Sequence, residues 1–157
     1  MIVSLRKILF PTDFSEPAKK AQKYAMTLAE KFGAELHVLH VVPEMILPAT
    51  DSYTVWTLPE GSMKEQIELA EQQLAAELGP EWTETRHAVC KVTVGFPVEE
   101  IMQYAQEQDV DLIVVGTHGH TGLSHLLMGS VAEKLVRLAT CPVLTVHPKG
   151  HQFVIES

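Results

Sequence analysis

Glycines at 116, 119, 122 and 129, followed by Ser130 and Val131, are the residues of this chain best placed to do chemistry. Glycine tolerates positive φ and lets a ligand approach the backbone closely. The stretch 116–130 follows Val110-Asp111-Leu112-Ile113-Val114-Val115, a buried strand by composition. It precedes Val131-Ala132-Glu133-Lys134-Leu135-Val136-Arg137-Leu138, apolar at helical spacing. The order strand, glycine loop, helix belongs to the carboxyl end of a strand in an open α/β sheet, where a helix N-terminus aims free N–H groups at the loop. The chemistry implied is capture of a phosphate-bearing ligand. Plainer uses exist: the glycines can simply turn the chain, and Ser130 with Glu133 three residues on has the spacing of a capping box. The spacing G-x2-G-x9-G-S is neither G-x-x-x-x-G-K-[ST] nor G-x-G-x-x-G.

His118, His120 and His125 invite a metal reading, since imidazole is a common zinc ligand. The spacing H-x-H-x4-H, with no cysteine nearby and no acidic residue in the loop, does not match a metal site. A histidine here can instead hydrogen-bond a phosphate, and His120 is the first candidate because it directly follows Gly119. Asp13 lies just past the first strand, where a carboxylate either closes an Asx-turn into a helix or accepts hydrogen bonds from a ligand. His37, His40, His87 and His147 fall in strand-like segments, where a satisfied structural histidine is the expectation.

These residues need a frame. Residues 6–12 read as a first strand; Ser15-Glu16-Pro17 offers an N-cap and an early proline before Ala18, Ala21, Ala25, Leu28 and Phe32 form a helical stripe that Gly33 ends. Residues 35–42 are β-like, 63–78 carry Ile67, Leu69, Ala70, Leu74 and Leu78 at helical spacing, and 85–94 alternate imperfectly as a third strand. Pro97 starts a helix to about residue 108, residues 111–115 make the fourth strand, 130–139 the fourth helix and 143–146 the fifth strand. That alternation predicts a parallel sheet with right-handed crossovers. The long connection 43–62, with Tyr53 and Trp56, reads as functional or mobile.

The blocks Phe10-Pro11-Thr12-Asp13-Phe14-Ser15, Val94-Gly95-Phe96-Pro97, Gly116-x2-Gly119-x9-Gly129-Ser130 and Cys141-Pro142-Val143-Leu144-Thr145-Val146 together resemble the universal stress protein family, and within it the branch that binds ATP or AMP. The resemblance runs from Arg6 to Val146. It implies an open five-stranded parallel sheet of order 3-2-1-4-5 with helices on both faces, a Rossmann-like, adenine nucleotide alpha hydrolase-like α/β fold. In that order the loops 11–15 and 116–129 meet across the switch-point crevice. It further implies that Thr12, Asp13 and Val41 meet the base and ribose, Asp13 through ribose hydroxyls or the adenine amino group and Val41 through its backbone. Gly116, Gly119, His120, Gly129, Ser130 and Val131 would then meet the phosphates. The expected ligand is ATP or AMP, with magnesium accompanying ATP. The expected role is regulation or sensing in a stress response, the alternative a slow ATP hydrolase or phosphotransfer enzyme. An interaction protein with an empty pocket is a weaker third reading, against which the intact glycines argue. The partner implied is a second copy, paired through the last strand Val143-Leu144-Thr145-Val146, which this order leaves at a sheet edge.

At 157 residues the chain reads as one domain, residues 1–148, with a tail at 149–157. Its net charge of −8 argues against binding nucleic acid or anionic membranes. It leaves a nucleotide open, because a nest of backbone N–H groups holds phosphate in an acidic protein. No apolar run approaches the ~20 residues of a membrane span, and no signal-peptide pattern opens the chain, so the cytoplasm is expected. Cys90 and Cys141, without C-x-x-C spacing, are expected to be reduced and mostly buried.

Overall fold

The computed structural model describes residues 3–44, 47–48, 53–54, 60–117 and 128–148. Five parallel strands form one sheet: β1 (Lys7–Pro11), β2 (Glu35–Pro43), β3 (Val89–Gly95), β4 (Leu112–Gly116) and β5 (Val143–Val146). Their spatial order is β3-β2-β1-β4-β5, as expected. Helices α1 (Glu16–Phe32), α2 (Glu60–Leu78), α3 (Pro97–Glu107) and α4 (Ser130–Leu138) connect them. Within the long connection, a two-residue ribbon pairs Leu47–Pro48 with Tyr53–Thr54; Trp56 lies outside the described residues.

Strand alternation sorts side chains onto two faces. Ile8, Phe10, Val38 and Val114 pack with Ala18, Ala21, Ala25, Ala70 and Leu74, so α1 and α2 cover one face. Leu9, Leu39, Ile113 and Val115 pack with Ile101, Ala105, Ala132 and Leu135, so α3 and α4 cover the other. Burial on both faces explains why β1 and β4 are continuous apolar runs. The stripe of α1 uses Ala29, 2 % exposed, in place of Phe32, which is 59 % exposed. Small alanines let this helix lie close to the sheet.

Helix α1 begins as its sequence predicts: the Ser15 hydroxyl accepts from the Ala18 N–H at 3.3 Å, and Gly33 ends it at φ 62° with its N–H on the last carbonyls. At the amino ends of β1 and β4, one carboxylate oxygen of Asp111 accepts the N–H groups of Arg6 (2.8 Å) and Lys7 (2.9 Å). Those backbone bonds, Arg6 first, hold the Asp111 carboxyl below its ordinary range against the opposing effect of partial burial. The third strand differs from expectation. Residues 81–85 coil into a π-helical turn, Trp82 is buried under the guanidinium of Arg86 at 5.0 Å, and the strand starts only at Val89. A tryptophan that must bury its ring sets the turn, a tertiary demand that local propensity does not carry. The cysteines also differ: Cys90 is exposed on edge strand β3 and Cys141 half-buried, with local desolvation pushing both thiols up.

Candidate functional site

Beyond their carboxyl ends β1 and β4 part, because the chain leaves β1 toward α1 on one face and β4 toward α4 on the other. A cavity of about 520 Å³ opens there, and Thr12, Asp13, Val41, Gly116, Gly129, Ser130 and Val131 all line it. Seven of the nine residues singled out from sequence therefore border one space. The other two, Gly119 and His120, lie outside the described residues, as do His118 and His125. Sequence reasoning missed the apolar wall of Leu39, Pro43, Pro97 and Ile101, and it missed His40. Nothing in the local pattern marks these; only the pairing of β2 beside β1, and of α3 beneath it, brings them to the crevice.

The turn from β1 into α1 is held by its own side chains. Thr12 Oγ1 accepts the Phe14 N–H at 3.0 Å, and Asp13 Oδ1 accepts the Ser15 N–H at 3.0 Å. Phe14 between them is left-handed at φ 65°, a conformation that a bulky residue adopts only when its surroundings impose it. Asp13 thus makes the Asx-turn foreseen as its plain use. A carboxylate has two oxygens and about four acceptor sites, so a ligand's donors can share it with this bond. Beside it, His40 Nδ1 bonds the Thr12 carbonyl at 2.8 Å, and the His40 ring lies over Phe14 with centroids 4.4 Å apart.

Three details of the glycine loop correct the sequence reading. Gly116 does not have positive φ; its hydrogen is needed because a Cβ would stand 3.0 Å from the Pro17 carbonyl oxygen and 3.4 Å from the Ala18 nitrogen. Gly116 is a glycine so that the first turn of α1 can lie on it. Gly129, not Ser130, is the N-cap of α4, and the first helical bond runs from the Glu133 N–H to the Gly129 carbonyl at 2.9 Å. Ser130 is therefore the first helical residue, one position past where a capping-box serine sits. The Gly129 N–H bonds the Thr117 carbonyl, which closes the loop at its base and takes that N–H out of the set expected to face an anion. Ser130 and Val131, whose N–H groups lie in the first helical turn without an intrahelical partner, border the cavity.

Asp13 and His40 are the titratable residues on the cavity wall among the described residues, and no lysine or arginine joins them. No group of three or more His, Cys, Asp or Glu that could hold a metal occurs among the described residues. Asp13 by itself does not make a metal cage, so a magnesium ion here would depend on ligand phosphates for its coordination. The arrangement is an apolar slot beside one carboxylate, ending at a helix N-terminus. It suits a flat heterocycle with hydroxyl-bearing substituents and a terminal anion.

Comparison with known proteins bears on that shape. A sequence model described as the Universal stress protein family matches residues 4–147. The universal stress protein MJ0531 of Methanocaldococcus jannaschii is 38% identical over 144 residues, covering 90% of this chain and 81% of its own length. The solved structure of MJ0577 from the same organism superposes with a TM-score of 0.62 at 31% identity, over 95% of this chain and 100% of that one. A universal stress protein from Archaeoglobus fulgidus, solved in complex with dAMP, shares the fold with a TM-score of 0.52 at 20% identity, covering 92% of this chain and 98% of that one.

Proposed function

The chain belongs to the universal stress protein family, and from that premise we propose that its crevice binds an adenine nucleotide, ATP or AMP, as the sensing element of a stress-response regulator. The observation that carries this reading is the convergence of Thr12, Asp13, Val41, Gly116, Gly129, Ser130 and Val131 on one cavity. In the proposed pose the base lies against Val41 and its apolar neighbours. Asp13 accepts from the ribose hydroxyls or the adenine amino group, and the phosphates meet the Ser130 and Val131 N–H groups with Gly119 and His120 alongside. The Archaeoglobus fulgidus complex supports the choice of an adenine nucleotide, since the same fold holds dAMP there. Magnesium would come with ATP, carried by its phosphates.

The test is mass spectrometry of small molecules that co-purify, followed by calorimetry on stripped protein. Micromolar or tighter binding of ATP or AMP is expected, with loss of at least tenfold in Gly129→Val, whose side chain would intrude at the phosphate end. Stripped protein that gives no heat with any adenine nucleotide would overturn the reading.

We also propose that two copies pair through β5. The order of the sheet leaves β5 as an edge, with Leu144 at 37% exposure, and Val136 and Leu138 on α4 are 49% and 56% exposed. A bare apolar edge is a template for pairing. The functional unit is proposed as one domain at residues 1–148 with a tail at 149–157, acting in the cytoplasm. No helix among the described residues is long and apolar enough to cross a membrane.

A further inference from the structure

We infer that His40 is the residue that positions the Asp13 turn for ligand selection, and that its Nδ1–H donor is the operative part. This rests on the nucleotide reading of the crevice. Pro11 is the last residue of β1, paired with Leu39, and the Thr12 N–H still follows the ladder to the Leu39 carbonyl at 2.9 Å. The Thr12 carbonyl then takes its bond from the His40 side chain at 2.8 Å. A carbonyl only accepts, so Nδ1 carries the proton whatever the charge on the ring. The imidazole ends the strand ladder, and the next residues are free to turn out over the cavity.

The same ring meets Phe14 at 4.4 Å and 31°, bracing the one left-handed residue of the turn. Asp13 sits between these two anchored points, with Thr12 held by its carbonyl and Phe14 by its ring. Its Oδ1 is already fixed by the Ser15 N–H. With both flanks and one oxygen fixed, the carboxylate meets a ligand in one orientation. Such pre-organisation converts a flexible acid into a selective one. His40 and Asp13 both border the cavity, so no relay through the core is required. In the absence of the imidazole donor, the Thr12 carbonyl would seek another partner and the turn would move.

The experiment measures binding of AMP and of three analogues that each lack one donor group, 2′-deoxy-AMP, 3′-deoxy-AMP and purine riboside 5′-monophosphate, which has no 6-amino group. Wild-type protein should favour AMP over at least one analogue by about tenfold or more, the scale of a hydrogen bond to a charged group, and Asp13→Asn should erase that preference. His40→Phe keeps the ring and removes the donor; it should still bind the nucleotide but with the AMP-to-analogue ratio reduced to within about twofold of one. His40→Asn keeps a donor at the Nδ position and should retain most of the wild-type ratio. A purely structural role would weaken AMP and its analogues alike. A folded His40→Phe protein with the wild-type ratio overturns the inference, and so does a folded His40→Asn protein that loses the ratio, which decides the matter if the Phe variant does not fold. Wild-type protein that binds no adenine nucleotide at all removes the underlying reading instead.

Discussion

Replacing Gly116 by alanine adds one methyl group where the structure has no room for it. The new Cβ would lie 3.0 Å from the Pro17 carbonyl oxygen, 3.2 Å from its carbon and 3.4 Å from the Ala18 nitrogen. Ordinary contacts to a carbon begin near 3.4 Å, so relief requires the Pro17 carbonyl to give by a few tenths of an ångström. Both neighbours are backbone, in the first turn of a helix fixed by the Ser15 cap and buried through Ala18 and Ala21. No side chain can rotate out of the way. Overpacking of this kind costs about 1–3 kcal/mol, partly offset by the ~0.4–1 kcal/mol that alanine gains by restricting the unfolded chain. A net loss of about 1–2 kcal/mol corresponds to roughly 2–8 °C in Tm for a domain of this size.

Gly61 is the internal control. It lies in the first turn of α2, a Cβ there would meet nothing within 4 Å, and Gly61→Ala should be neutral or stabilising by up to about 1 kcal/mol. The two variants should move Tm in opposite directions in thermal melts followed by circular dichroism on nucleotide-free protein. The reasoning fails if Gly116→Ala melts at or above the wild-type temperature.

Acid should expose the Asp111 tie. Its carboxyl is depressed in the folded chain by the Arg6 and Lys7 N–H groups, so its contribution is present above the unfolded value and is lost as pH falls through the folded one; urea melts should show Asp111→Asn less stable than wild type at pH 7, with the gap narrowing as pH falls below the ordinary carboxylate range. In the parallel register of β4 with β5 the Leu144 N–H turns in toward β4 and the Thr145 N–H turns out to the free edge; a proline at Thr145 should raise the dimer dissociation constant at least tenfold, read by light scattering or sedimentation, and monomeric wild-type protein at micromolar concentration would defeat the pairing. Turnover of ATP should fall far below the usual enzyme range of about 1–1,000 per second. Backbone N–H groups hold bound phosphate about equally before and during reaction, and no lysine or arginine borders the described cavity to stabilise transferring charge. Hydrolysis within that range, abolished by Asp13→Ala, would instead establish an enzyme.

The helices and central strands were legible because their signals are local. Ser15, Pro17 and Gly33 bound α1 by capping chemistry, and Ile8, Leu9 and Phe10 mark a strand buried on both faces. The strand order came from family resemblance, since periodicity does not say which strands are neighbours. With that order the site could be assembled on paper, and seven of its residues do border one cavity. What sequence did not carry was the reason for each. Gly116 reads as a loop glycine and serves helix packing; Ser130 reads as a cap and sits one residue inside the helix. His40 is a strand histidine like His37, yet His37 is buried against Tyr104 at 2.8 Å while His40 borders the crevice. Only the three-dimensional arrangement separates these two.

The central position of β1 also sets a waiting time during synthesis. Its partner β2 follows soon, but the other flank is completed by β4, and Asp111 lies 105 residues beyond the Arg6 N–H it receives. At a ribosomal rate of about 5–20 residues per second, β1 waits roughly 5–20 s with one edge unpaired. Leu9, which ends fully buried beneath α3 and α4, is on the face that is covered last. The nascent chain up to β3 therefore carries β1 as an unpaired edge, the kind of surface that promotes mispairing during folding.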